Sequence, residues 1–400
     1  MNLPTNSGRP LTDYLYAKAS RAHIPLNGTF ELSPVCNFNC RMCYVRQTTE
    51  EVAHSPRPIL ELDDWRRLAR EARDSGMLEL LLTGGEPLLW HDFWTLYEEL
   101  CDMGFLVSIN TNGSLIDRTA IERFRKRPPQ KLNITLYGAG DESYYRLCGA
   151  HDAFDWVDRA VRGLLAEGLT VRLNCSLTPY NADDLDRIVD YAHERNTVLS
   201  TATYMFPPVR RDPTGFGDND RFTPEESSAY LLRYLRRDRG EERFRTYVNS
   251  LLKGYADPPG LEADCADNAS ADQSEHIRCR AGRASFWITW DGRMLPCGML
   301  PKPEIDVKGR SFAEAWELLW RASAEVTLSG VCGGCPNRGI CHPCAAIAYA
   351  ETGSHSGIPT YRCHAVRHMC ALAREMSAAE DSAAEQILKN LPGGRSNEHT

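Results

Sequence analysis

Between residues 62 and 206 the chain alternates between two hydrophobic periods. Residues 62–75 place Trp65, Leu68, Ala69 and Ala72 on one helical stripe that stops at Gly76. An apolar run at 77–83 follows, and then a helical pattern over 92–103 that ends at Gly104. The rhythm continues with a strand at 105–109, a helix at 117–126, a strand at 132–136 and a helix at 154–167. A strand at 169–177, a helix at 182–195 and a strand at 197–206 complete it, and a strand at 30–33 precedes it all. Six short apolar strands separated by helices predict a parallel α/β sheet. Its crossovers are right-handed, and its functional loops lie at the strands' C-terminal ends. Six units are too few for an eight-fold barrel.

The flanks have a different texture. Residues 1–26 are polar, contain Pro4, Pro10 and Pro25, and read as an arm. Residues 27–210 form the strand–helix domain, and the charged stretch 211–260, with a helix near 224–238, bridges onward. Residues 261–375 form a small cysteine-rich domain whose helices are short apart from 311–322, and 376–400 is a C-terminal helix with a disordered tail.

Four hundred residues suit one large domain and a smaller one. The formal charge of −8 argues against nucleic acid as a partner. The apolar runs fall far short of the roughly 18 residues of a membrane span. Residues 1–30 lack the apolar core of a signal peptide, so the expected compartment is the cytosol. The fifteen cysteines change the picture most. An odd number without an export signal points to metal rather than to disulfides.

Three of them form Cys36-x3-Cys40-x2-Cys43, a short loop that can fold three thiolates onto one inorganic cluster. A [4Fe-4S] cube usually takes four cysteines, so three leave one iron open. Zinc prefers a second C-x2-C pair, which the next fifty residues do not supply. Gly84-Gly85-Glu86-Pro87 follows the second strand, where glycines permit close approach to a ligand and a carboxylate can pair with an ammonium. Further on stand Cys279 and Cys297, then Cys332-x2-Cys335-x5-Cys341-x2-Cys344, then Cys363. The two C-x2-C pairs alone also suit a zinc ribbon.

In this order the segments resemble the radical S-adenosylmethionine (radical SAM) superfamily. The resemblance implies an open, partial (βα)6 barrel. Cys36, Cys40 and Cys43 would hold a [4Fe-4S] cluster whose open iron chelates S-adenosylmethionine. Met42 stands where the family usually has an aromatic residue. By the same resemblance Gly84, Gly85 and Glu86 hold the cofactor's amino group, Thr135 meets the ribose and Arg146 pairs with the carboxylate. Asn112, at a strand's end, is a further candidate for that pocket.

The later cysteines resemble the SPASM extension with two auxiliary [4Fe-4S] clusters, three in all. Crossed ligation as in that family would give Cys332, Cys335, Cys341 and Cys363 to one cluster. Cys279, Cys297 and Cys344 would hold the other, with Cys265 as the fourth ligand. The final C-x2-C departs by one residue from the family's C-x3-C. Cys101, Cys148 and Cys175 read as buried small hydrophobes, and Cys370 has no assignment.

The resemblance further implies that a 5′-deoxyadenosyl radical modifies a peptide, with a thioether or carbon–carbon crosslink as the outcome. The implied partners are a peptide substrate, a separate leader-binding protein and an electron donor of flavodoxin or ferredoxin type. Sulfatase-maturing relatives carry an Asp base after the cysteine matching Cys297. Gly298 stands there, which counts against Ser or Cys oxidation. The alternatives are radical modification of a sugar or antibiotic precursor, and a zinc-binding scaffold. Tyr204 or Phe206, after the sixth strand, is expected to line the substrate cleft.

Overall fold

The computed structural model describes residues 11–212, 214–217, 220–256, 275–277 and 279–378. Six strands pair in parallel and in sequence order: β1 (Asn27–Glu31), β2 (Glu79–Thr83), β3 (Leu106–Thr111), β4 (Lys131–Thr135), β5 (Val171–Ser176) and β6 (Val198–Ala202). The fold is thus the partial (βα)6 sheet, with helices between successive strands.

The sheet continues past β1. Among the remaining short strands, β7 (Glu275–His276), β8 (Ser285–Ile288), β9 (Arg293–Leu295), β10 (Ile305–Asp306) and β11 (Thr327–Leu328), β8 pairs in parallel with β1. β9 and β10 then add antiparallel, giving nine strands in the order β10-β9-β8-β1-β2-β3-β4-β5-β6, while β7 pairs with β11 apart from them. Strands of two to four residues carry too little pattern to be read from sequence.

The two faces of the parallel sheet differ in chemistry. Leu80, Leu82, Val107, Ile109, Leu132, Ile134, Leu173 and Cys175 are buried in one continuous apolar core with the flanking helices. The alternate positions are polar on β3, β4 and β5 from Ser108 to Ser176, and register places Asn110 beside Asn133 and Thr135 beside Asn174, with Ser200 next to Asn174. Asn133 Nδ2 donates to Asn110 Oδ1 at 2.8 Å, so these side chains share a face. The core does not end with the sixth unit. Phe286 and Phe312 from the C-terminal half are fully buried in it, and Phe312 N donates to Glu71 Oε2 at 2.6 Å.

Several expectations are revised by the structure. The polar N-terminal stretch contains the helix Leu11–Ala22, which buries only Tyr16 and Ala19 and so shows little periodicity. The bridge holds two helices, Pro224–Arg239 and Glu241–Gly254, rather than one. The first starts with a capping box in which Thr223 and Glu226 satisfy each other's backbone N–H. Thr360–Ala378 is a 19-residue helix in a region expected to have short ones apart from 311–322. Asp141–Cys148 adds a helix between the strand at 132–136 and the helix at 154–167, where none was expected or excluded. β6 ends at Ala202, and the chain to Pro208 leaves the sheet instead of extending it. Among the described residues no helix is long and apolar enough to cross a membrane.

Candidate active site

The cysteine loop leaves the C-terminal end of β1 and is pinned on two sides. Gly85 N donates to Ser33 O at 2.7 Å and Glu86 N to Val35 O at 3.0 Å, which carries the β1–β2 pairing up to Cys36. A Cβ on Gly85 would stand 2.5 Å from the Val35 carbonyl oxygen and 2.6 Å from that of Pro34. The glycines therefore admit the backbone of the cysteine loop, a closer approach than any side chain allows. On the other side Asn39 N and Arg41 N donate to the carbonyls of Cys148 and Leu147, at the end of the helix Asp141–Cys148.

Inside the loop each thiol has a defined neighbour. Cys36 Sγ accepts from Phe38 N at 3.4 Å and faces Asn112 Nδ2 at 3.7 Å, while Cys43 Sγ accepts from Arg46 N at 3.3 Å. Burial pushes the Cys36 thiol up to about 12. Cys40 moves the opposite way, because the Cys148 thiol and then the Tyr137 hydroxyl donate to it. Cys148 is buried as expected, but it also touches a loop cysteine.

Glu86 is the hub of the rim. It is completely buried, and its Oε1 accepts from Thr111 Oγ1 at 2.7 Å and Leu88 N at 3.2 Å. Oε2 accepts from Asn112 N at 2.8 Å, which leaves that oxygen one further acceptor position. Burial, opposed by these donors, raises its carboxyl from 4.5 to about 7. Asn112 in turn reaches Asn37 Oδ1 at 2.9 Å. Cys36, Glu86 and Asn112 thus form one connected group. Thr135 closes β4 on the polar face, two residues beyond the Asn133–Asn110 pair. Arg146 Nε and Arg46 Nε are buried without a hydrogen-bond partner. Two such donors beside a three-thiol loop fit an anionic group held there. Arg46, Thr111 and Tyr137 were not legible as site residues, since a lone arginine, threonine or tyrosine carries no spacing signal.

The C-terminal cysteines fall into two groups. Cys279, Cys297 and Cys344 line a cavity of about 480 Å³ together with Ile277, Leu300 and His342. Burial, then the thiolates of Cys344 and Cys279, push Cys297 up to about 11. Cys332 is pushed up to about 12 by burial and then by Cys363, Cys341 and Cys335. His342, at φ +49°, turns the chain between Cys341 and Cys344 in the left-handed region. Cys265 lies outside the described residues. Among the described residues no three His, Cys, Asp or Glu side chains stand close enough to share a single ion.

The two aromatic candidates after β6 are held in place. Tyr204 OH donates to Glu351 Oε1 at 2.5 Å, and Arg221 also pairs with Glu351 at 2.6 Å. Phe206 packs with Cys297 and Cys344 against the small core of Leu300, Val326 and Leu328.

Residues 30–192, which contain the loop, Glu86, Asn112, Thr135 and Arg146, match the Radical SAM superfamily. This stretch is a radical SAM domain. The chain is a radical SAM enzyme, and its similarity to relatives extends through most of its length. An AdoMet-dependent heme synthase of Methanosarcina barkeri is 25% identical over 82% of this chain and 93% of its own. The subtilosin biosynthesis protein AlbA of Bacillus subtilis is 22% identical over 79% of this chain and 68% of its own. The structure of Streptococcus suis SuiB bound to precursor peptide SuiA shares the fold over 91% of this chain and 84% of that one, with TM-score 0.61 and 18% identity.

Proposed function

We propose that this radical SAM enzyme modifies a peptide, forming a thioether or carbon–carbon crosslink, between the cysteine loop at 36–43 and the cysteine-lined cavity at 279–344. The observation that carries this reading is that Arg210 joins the two places, pairing with Glu31 at the end of β1 and donating to the carbonyl of Gly298 beside Cys297. The SuiB complex and AlbA support a peptide as substrate. Cys36, Cys40 and Cys43 hold a [4Fe-4S] cluster, which with S-adenosylmethionine supplies one-electron cleavage to a 5′-deoxyadenosyl radical. Glu86 offers its remaining acceptor to the ammonium, Arg146 its free Nε to the carboxylate, and Thr135 its hydroxyl to the ribose. Asn112 orients Cys36 and ties it to Glu86.

Cys279, Cys297 and Cys344 hold one auxiliary cluster, with Cys265 as fourth ligand, and Cys332, Cys335, Cys341 and Cys363 hold the second. A flavodoxin- or ferredoxin-type protein supplies electrons, and a separate protein binds the leader.

A second reading, modification of a small molecule such as a tetrapyrrole, is favoured by the M. barkeri relative. Anaerobic reconstitution followed by incubation with candidate peptides, and in parallel with an iron tetrapyrrole, separates the two. A mass change in the peptide that requires S-adenosylmethionine supports the first reading. Conversion of the tetrapyrrole alone replaces it. Zinc in place of iron removes both.

A further inference from the structure

Glu31 closes β1 and is completely buried, a costly place for a charge unless a partner is close. Its Oε1 meets Arg210 Nη2 at 2.7 Å, and its Oε2 accepts from Trp287 Nε1 at 2.8 Å. The Arg210 side chain is 5% exposed. Its other arm, Nη1, donates to the carbonyl of Gly298 at 3.1 Å, next to Cys297. Tyr44, next to Cys43, lies with its ring 5.7 Å from the guanidinium carbon. The guanidinium thus contacts a residue adjacent to Cys43 and a residue adjacent to Cys297. Gly298 is pressed flat against Trp287, where a Cβ would stand 2.8 Å from the indole.

We infer that Arg210, paired with Glu31, is a positioning residue that registers the Cys297 loop against the Cys36–Cys43 loop and balances the charge beside Cys297. The inference rests on the reading of Cys297 as a cluster ligand. The planar guanidinium suits this role because one rigid fork reaches acceptors on two separate segments, which a lysine ammonium on a flexible stem does less well. Net stability is a weak reason for the pair, since a buried ion pair is often no better than an apolar pair of the same volume. Its charges, however, act strongly in a buried site. A reduced cluster carries one more negative charge, so a lone guanidinium favours reduction and a lone carboxylate opposes it.

The test is a redox titration of the anaerobically reconstituted full chain, followed by electron paramagnetic resonance of the C-terminal cluster signals. Glu31→Gln should shift the potential of the cluster at Cys297 upward and Arg210→Gln should shift it downward. The double variant should return close to the wild-type value. A residue that merely holds the fold together gives no such opposed pair. Shifts of the same sign in both single variants, or none in either, overturn the inference. If Arg210→Gln does not fold, Glu31→Gln against the double variant carries the same test, because restored neutrality must bring the potential back down. A wild-type chain holding only about four irons overturns the ligand reading and this inference with it. C-terminal clusters whose potential ignores the pair overturn this inference alone.

Discussion

The two cysteine-rich places of this molecule are built in different ways. The first is an eight-residue loop at the end of β1, held by backbone hydrogen bonds from the Gly84–Glu86 segment on one side and the helix Asp141–Cys148 on the other. Its framework is complete in the polypeptide itself. The second draws on Cys279, Cys297, the 332–344 run and Cys363, four separate segments, of which Cys279, Cys297 and Cys344 line a cavity of about 480 Å³. Where ligands come from distant segments, metal binding is itself part of the folding free energy. The loop should therefore be preformed without iron, whereas the C-terminal region should depend on it.

The sharpest break in that comparison is chemical. Replacing Cys36, Cys40 and Cys43 together with Ala should abolish 5′-deoxyadenosine formation and remove about four irons per chain, leaving the remaining iron in place. Protein melting should change little, because the loop's backbone bonds survive. A fall in melting as large as that caused by chelating all iron would show that the first place is no more preformed than the second.

Glycine substitution sharpens the contrast. In Gly85→Ala the new methyl group meets the carbonyls of Pro34 and Val35, which cannot yield without moving Cys36. A loss of about 1–3 kcal/mol in stability, with a larger loss of cofactor cleavage, is expected from thermal melts and product assays. In Gly298→Ala the methyl group meets the Trp287 ring instead, so the effect should fall on the C-terminal iron while cofactor cleavage continues.

Glu86 predicts a pH dependence. Its carboxyl is raised from 4.5 to about 7 by burial, so the folded apoprotein favours the protonated form. The associated stability is fully present below pH 4.5 and is lost as pH rises through about 7, a decline of about 3 kcal/mol. Denaturant melts of the iron-free chain should show this decline, and Glu86→Gln should flatten it. An unchanged slope would place the burial of Glu86 in error.

The most confined effect is expected at Phe206, which packs beside Cys297 and Cys344. Phe206→Ala should cost about 2 kcal/mol, reading out as lower C-terminal iron with cofactor cleavage retained. A loss of cofactor cleavage in parallel would put Phe206 in the first place instead of the second.

Much of the first place was legible in the sequence. Cys36, Cys40, Cys43 and Glu86 lie on two segments whose strand-end positions follow from the hydrophobic rhythm, and parallel pairing brings neighbouring strand ends together. The role of Gly84 and Gly85 was only half legible: they admit another loop's backbone, which no local pattern reveals. The second place was legible as spacing alone. Which cysteines stand together depends on a left-handed turn at His342 and on strands too short to show a period.

The sequence by itself determined the parallel α/β sheet and the cysteine loop at the sheet's rim, because period and spacing are local properties. Only the tertiary structure decided that β8 extends the sheet beside β1, that Arg146 and Arg46 keep unpaired donors by the loop, and that Glu31 and Arg210 meet between the two cysteine-rich places. Those contacts join residues far apart in the chain, such as Glu31 and Trp287, 256 positions apart. They exist because a buried charge must find its partner wherever the packed chain supplies one.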